Sequence, residues 1–480
     1  MVLIRTRRAL ARATLAVTLL VLPGCGDGAP ARDVLMVVVY GATPAGIMAA
    51  IAAAEENAEV RLIEPTDHVG GMVTSGLGAT DTEHPELIGG LARRFFVEIG
   101  SAYGEADGVL GLRHEPHAAA DVFDRMLDEA GISVETGGRM ASVEMDGTTL
   151  TAVVLESGVR VEGDRFIDAT YEGDLLAAAG VPYRIGREAA AEYGESLGID
   201  AADDKVQAYT YRLCVTDQAD NRIPVEIPAT YNREAFAPVL DHLGDDLESV
   251  ISRVAIPGGK WDLNNRDPFS TDAVGLGWGW AEASAEERVR LAAEHRDHVA
   301  GFLHFLATDD AVPEAIRREA SALGLCADEW EGGTGWPPQL YVREARRMVG
   351  DYVLTQWDLE NDPVKSEPIA LGTYRVDSHA VDRVDGQLDG VLNLRIGPYA
   401  IPYRTITPRS VDATNLLVPV ALSATHVAFS SVRMEPTWMA TGEAAGVAAA
   451  MAADSVQLID RVALDERLRE RGAILDPPAR

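Results

Sequence analysis

Four consecutive apolar residues, Met36 to Val39, run into the turn Gly41-Ala42-Thr43-Pro44-Ala45-Gly46, and an Ala/Ile-rich stretch follows to Glu55-Glu56. An unbroken apolar run of this length predicts a strand buried on both faces, and the small-residue stretch predicts a closely packed helix. A second strand-like run ends at Glu64. Residues 132–168 alternate instead, with turn signals at Asp146-Gly147 and Ser157-Gly158. That pattern predicts a three-stranded meander crossing back to a parallel strand at 164–169. Residues 283–323 have a helical pattern, the middle of the chain from 185 to 400 shows no repeated βαβ unit, and 259–272 is turn-rich and aromatic, as expected of a loop near a substrate. Near the C-terminus, "NLLVPVAL" (415–422) predicts a last core strand, and a helix is expected to start near Thr441.

The first strand–turn–helix–strand unit has the layout of a dinucleotide-binding βαβ fold. Gly41 permits the tight turn and Gly46 lets the helix pack against the sheet, while Pro44 suits the first helical turn. Thr43 stands where the usual fingerprint has its middle glycine; its hydroxyl could itself bond a phosphate oxygen. Glu64 lies about ~20 residues on, placed for a ribose hydroxyl. "DHVGGMVTSGLGATD" (67–81) then sets Gly70, Gly71 and Met72 in a glycine-rich stretch that can lay bare backbone along an extended ligand. Gly-rich strand–helix turns also serve purely structural ends, so the turn alone leaves both readings open.

Composition narrows the partners more than the chemistry. With 480 residues and a formal net charge of −33, the chain is expected to form two packed units and to avoid nucleic acid. The N-terminus departs from that acidity: Arg5, Arg7, Arg8 and Arg12 precede the apolar "ATLAVTLLVL" and Leu22-Pro23-Gly24-Cys25. The apolar stretch is too short to span a bilayer, and the whole reads as a secretory signal. Cys25 sits as in a bacterial lipobox, although Pro23 is unusual there, so membrane contact is expected only through a lipidated Cys25. "TRRALAR" resembles a twin-arginine signal, with the ordinary secretory route as the alternative. Cys214 and Cys326 could pair, which sequence does not settle. No Cys/His cluster suggests zinc, and His68, His84, His114 and His117 have no spacing that demands a metal, so none is assigned.

A set of longer motifs is more specific. "YGATPAGIMAAIAA", "GGMVTSGL", "FIDATYEGDLLAAAGVPYRIGRE", "LYVREARRMVGDY" and "RMEPTWMATGEAAGVAAA" resemble, in that order, the FAD-dependent oxidoreductase family often labelled xanthan-lyase-like. The resemblance covers about residues 35–455. It implies an α/β protein with a Rossmann-like, glutathione-reductase-type FAD-binding domain, a parallel sheet with a β-meander crossover, and an inserted α+β substrate domain. The boundaries expected are a signal with lipobox (1–25), a tether (26–34), the FAD-binding domain in two parts (35–184 and 401–460), the insertion (185–400) and a tail (461–480). FAD would be held by Gly41, Thr43, Pro44, Ala45, Gly46, Glu64, Gly70, Gly71, Met72 and Met140. Thr170, Gly173 and Asp174 would lie near the cofactor end of the sheet, and Gly442, Ala445 and Gly446 would present a helix end to the flavin. The Gly-Asp pair that many such enzymes carry after the last core strand is replaced here by Ser423-Ala424-Thr425-His426.

Flavin chemistry needs a positioned C–H bond and a group that manages one proton, and histidine suits the second task. His426, near Arg433 and Glu435, and His379, beside Tyr374, Arg375 and Asp377, are the candidates, against structural histidines as the alternative. Arg433 and Glu435 could simply pair with each other. Arg343, Glu344, Arg346 and Arg347 could bind an anionic substrate or make internal salt bridges. The expected activity is hydride transfer between flavin N5 and a carbon bearing a hydroxyl or amine on a small, possibly carbohydrate-like substrate, with an external electron acceptor. A polysaccharide lyase or a surface flavin-binding protein without turnover are the alternatives.

Overall fold

The computed structural model describes residues 34–266, 268–330 and 332–479; the expected signal and Cys25 lie outside them. The first apolar run forms β1 (Met36–Tyr40), the small-residue stretch forms helix α1 (Pro44–Glu55), and β2 (Glu59–Ile63) ends immediately before Glu64. β1 lies at the centre of a five-stranded parallel sheet, flanked by β2 on one side and Arg165–Asp168 on the other. Val134–Glu135 and Leu416–Leu417 form the two edges. Successive β1 residues divide between two cores, Val37 and Val39 facing one and Val38 and Tyr40 the other, as the two-residue strand period requires. The alternating region forms an antiparallel meander (Met140–Asp146, Thr149–Leu155, Arg160–Glu162) before the chain returns to the sheet beside β1. This is the Rossmann-like sheet with meander crossover that the sequence predicts.

Three expectations are corrected. "NLLVPVAL" contributes only Leu416–Leu417 to the sheet, because Pro419 has no N–H to donate to a ladder. The helix expected near Thr441 spans Glu435–Met451, with Pro436 in the first turn, where no hydrogen bond is lost. Gly442 and Gly446 therefore sit in mid-helix, and a Cβ on either would land on Ala45 O or Ala49 O of α1. With Ala445 they are helix-packing residues, and no helix end is there to face a flavin. Third, 259–272 is not all loop: Lys260–Asn265 is a strand in a second, five-stranded sheet.

That second sheet is antiparallel and draws on residues 213–326. Its neighbouring strands Leu213–Thr216 and Gly324–Cys326 carry Cys214 and Cys326, which form a disulfide with Cα atoms 5.6 Å apart. Residues 283–323 form two helices, Ala285–Thr308 and Glu314–Ala322. Among the described residues no helix is long and apolar enough to cross a membrane.

Candidate functional site

The turn after β1 is built to bring backbone close to backbone. Gly41 adopts φ +102°, and a Cβ there would stand 2.8 Å from Ala169 C and 2.9 Å from Thr170 N. Gly41 N–H donates to Ile63 O at 2.7 Å, and Ala42 N–H donates to Glu64 Oε2 at 2.8 Å. Thr43 caps α1: its Oγ1 accepts from Gly46 N–H at 3.2 Å and donates to Ala169 O at 2.7 Å. The hydroxyl has one proton and it is engaged, so Thr43 ties the turn to the strand beside β1 rather than offering a donor to phosphate. A Cβ on Gly46 would collide with Gly41 O, which makes that glycine obligatory for this turn.

This end of α1 opens into a cavity of about 1560 Å³, well above the roughly 300–1,000 Å³ that holds a drug-sized ligand. Its wall includes Glu64, Asp67, Arg139 and Met140, the turn residues Gly41 and Thr43, Thr170 and Asp174, and Gly71, Tyr171, Tyr211, Trp330 and Leu340. Glu64 Oε1 accepts from Thr66 N–H at 2.9 Å and Thr66 Oγ1 at 2.7 Å. Burial pushes the Glu64 carboxyl above its usual range, and these hydrogen bonds oppose the shift.

The family model described as FAD dependent oxidoreductase matches residues 36–471. The chain belongs to this family. No curated protein sequence matches it. Among solved structures it is similar to that of AlpK, with 13% identity over 54% of this chain and 48% of the other at a TM-score of 0.29. It is also similar to the Diels-Alderase PyrE3 of pyrroindomycin biosynthesis, with 15% identity over 54% and 51% at 0.29. A third is a ferredoxin-flavin thioredoxin reductase from Clostridium acetobutylicum, with 19% identity over 28% and 37% at 0.19. The chain spans about half the length of the first two.

FAD is the cofactor of this family, and the cavity fits it. An N-terminal helix end is an anion site, so α1 would hold the pyrophosphate. Glu64, a remaining acceptor, suits a ribose hydroxyl. A dinucleotide continues on both sides of its pyrophosphate; with its ribose at Glu64, the flavin half would lie along Gly71, Tyr171 and Tyr211. Gly71, with φ +54°, leaves there a space that a Cβ would close against Tyr171 Oη and Pro44 Cδ.

Of the remaining expected cofactor residues, Thr170 and Asp174 line the cavity and the others act from behind its wall. Gly70 (φ +93°) donates its N–H to Ala42 O at 2.8 Å, and Met72 N–H donates to Tyr171 Oη at 3.0 Å. Pro44 and Ala45 are buried in the first turn of α1. Thr170 Oγ1 donates to Asp168 Oδ1 at 2.7 Å, and Gly173 (φ +68°) caps the short helix that begins at Asp174. Asp174 is held by Arg288 at 2.6 and 2.7 Å and by Arg346 at 2.9 Å. Burial alone would raise its carboxyl; the two guanidinium groups outweigh that and keep it below the usual carboxylate range.

The five catalytic candidates are not on the cavity wall. They belong to a polar layer that is already paired. His426 Nδ1 lies 2.8 Å from Glu344 Oε2, and its Nε2 lies 3.2 Å from Ser378 Oγ. His379 Nδ1 lies 2.7 Å from Asp272 Oδ2. Arg433 donates to Tyr341 Oη at 3.0 Å and Asp377 O at 2.7 Å, so it does not pair with Glu435. Arg375 pairs with Glu83, and burial holds the Tyr374 hydroxyl far above its ordinary range. The arginine run likewise resolves into internal pairs: Arg343 with Asp272, Arg346 with Asp174 and Glu282, Arg347 with Glu188 and Glu344.

His68 and His117, which have no metal-like spacing in the sequence, do face the cavity. His68 Nε2 lies 2.8 Å from Ser75 Oγ, 2.9 Å from Thr74 Oγ1 and 3.1 Å from Gly71 O; burial lowers it to about 4, so it is neutral at pH 7. Its place two residues before the Gly-Gly pair was the available signal. His117 Nδ1 is 3.0 Å from Glu329 Oε1, and with Glu115 these groups could crowd a cation. The Lys260 ammonium already stands there, 2.7 Å from both Glu115 and Glu329 and 2.8 Å from Asp328.

Proposed function

We propose that this family member is an exported flavoprotein that exchanges a hydride between a small substrate and FAD, the substrate carbon bearing a hydroxyl or an amine. When bound, FAD supplies a two-electron acceptor at N5. The chain's own task is then to hold the substrate C–H bond against that position, exclude water and receive the proton that leaves the oxidised hydroxyl or amine. The observation that carries this reading is that the cavity at α1 is also lined by the mixed group Tyr171, Tyr211, Trp330 and Leu340, with neutral His68 beside Gly71. Neutral imidazole carries a lone pair that can accept a proton, and His68 lies on the cavity wall where His426 and His379 do not. On this reading the His426–Glu344, His379–Asp272 and Arg433–Asp377 contacts hold the wall in position. Segment 185–400, which we read as the inserted substrate domain, supplies Tyr211, Trp330 and Leu340.

Two features support export. The basic, apolar and Cys25-containing N-terminus reads as a lipidated secretory signal, and the Cys214–Cys326 disulfide suits an oxidising compartment. Reoxidation then falls to oxygen, a quinone or another external carrier.

The test is anaerobic addition of sugars, alcohols and amines to the FAD-loaded protein while its visible spectrum is followed. Bleaching by members of one class is the expected result and names the substrate. A flavin left oxidised by every compound, with polysaccharide cleaved without any electron acceptor, would replace this reading with a lyase.

A further inference from the structure

The Glu435–Met451 helix begins with a carboxylic acid that has no charged partner. Glu435 is 4% exposed, and no arginine, lysine or histidine pairs with it among the described residues. Its one hydrogen bond is to Tyr171, whose Oη donates to Glu435 Oε1 at 2.6 Å; its other oxygen, Oε2, is buried without a partner. Tyr171 Oη also accepts from Met72 N–H at 3.0 Å and lies where a Cβ on Gly71 would fall. Tyr171 and Gly71 both line the cavity. Glu435 itself is one step behind that wall.

We propose that Glu435 is a positioning residue that, through Tyr171, decides whether the cavity wall beside Gly71 offers bound FAD a hydrogen-bond donor. The inference rests on FAD occupying this cavity and not on the substrate reading. The hydrogen-bond inventory has two states. With Glu435 ionised, the phenol proton is committed to Oε1. With Glu435 neutral, the acid proton goes to Oε1, because on Oε2 it would be a buried donor with no acceptor. The phenol oxygen then accepts from both Glu435 and Met72, using its two lone pairs, and its own proton is free to turn to the cavity.

Burial raises the Glu435 carboxyl to about 8, against a smaller opposing effect of the Tyr171 bond. Charges on the elements packed against this helix are engaged elsewhere. Glu443 bonds Arg471 and Leu91 N, Arg165 bonds Ala452 O and Ala453 O, and Asp168 bonds Thr170 and Leu176 N. Arg94 is paired with Glu98 and Glu129. Helix α1 up to Ala54 and the strand Pro368–Gly372 carry no charged residue. Tyr341, which bonds Arg433, is within electrostatic reach of Tyr171. No cation therefore holds Glu435 ionised at neutral pH.

The experiment is the FAD dissociation constant of the full chain, made FAD-free and titrated from pH 6 to pH 10, for the wild type and for Glu435→Gln and Tyr171→Phe. If the neutral acid frees a donor for FAD, binding raises the Glu435 pKa further. The constant is then flat below about 8 and weakens above it by roughly three- to tenfold, the worth of one hydrogen bond. Glu435→Gln, neutral at every pH, is expected to bind FAD as tightly as the low-pH wild type with no such step. Tyr171→Phe is expected to bind at the weaker level throughout. A step retained in Glu435→Gln overturns the proposal, as does a flat wild-type profile; if Glu435→Gln does not fold, a step retained in Tyr171→Phe overturns it alone. Turnover is not read, so a failed substrate assignment leaves this result intact.

Discussion

Arg347→Met is expected to destabilise the protein by about 3–5 kcal/mol, the cost of removing one partner from a buried ion pair. The Arg347 side chain is fully buried, with Nη1 2.6 Å from Glu188 Oε1 and 2.7 Å from Ala424 O, and Nε 2.8 Å from Glu344 Oε1. Its Nη2 donates to Gly186 O. Two carboxylates from different parts of the chain therefore rely on one cation. Glu344 keeps His426, but Glu188 keeps only neutral donors such as His426 N–H at 2.9 Å. Methionine fills much of the volume, so the loss is electrostatic rather than a cavity. The denaturant midpoint measures it, and Arg347→Met combined with Glu188→Gln should recover part of the loss, since the second change removes a stranded charge. An unchanged midpoint in the single variant would show that the layer is not held by this arginine.

The second large effect is at the turn. Gly46→Ala puts a methyl group onto Gly41 O, a backbone atom that is itself pinned by Gly41 N–H to Ile63 O. Helix α1 must retreat from β1, at the ~1–3 kcal/mol or more that overpacking costs. The helix end proposed to receive the pyrophosphate retreats with it, so FAD affinity is expected to fall roughly a hundredfold, about 2.7 kcal/mol. Thr43→Val is the control. It removes the cap and the bond to Ala169 O, costing about 1 kcal/mol of stability, but it should change FAD affinity by only a few-fold because that hydroxyl has no proton left for phosphate. Titration of the two FAD-free variants with FAD separates these outcomes. Comparable losses of affinity in both would return Thr43 to the role of phosphate donor.

The sheet and its crossover were legible because they follow from local pattern: an unbroken apolar run at 36–39, alternation at 132–168, and turn residues at fixed places. The glycines of the first turn were legible for the same reason, since Gly41 and Gly46 meet within five residues of each other. The catalytic candidates were not. His426, His379 and Arg433 attract notice by residue type, yet what they face is decided by Glu344, Asp272 and Asp377, partners fixed only by tertiary packing. Gly442 and Gly446 were misplaced because a small-residue pattern looks alike at a helix end and at a close helix crossing. Their true neighbours, Ala45 and Ala49, lie about four hundred residues away in the chain. Pro419 was visible all along and should have shortened the last strand. The Glu435–Tyr171 contact, spanning 264 residues, left no trace in spacing at all.

The cavity is expected to hold a whole dinucleotide, in contact with both Glu64 and Tyr171. Titrating the FAD-free protein with FAD and, separately, with FMN tests it most directly. Binding of one FAD per chain, at least ~100-fold tighter than FMN, is the predicted result, because FMN forgoes the adenosine end beside Glu64, Arg139 and Met140. Equal affinity for the two flavins, or no binding of FAD, would contradict it.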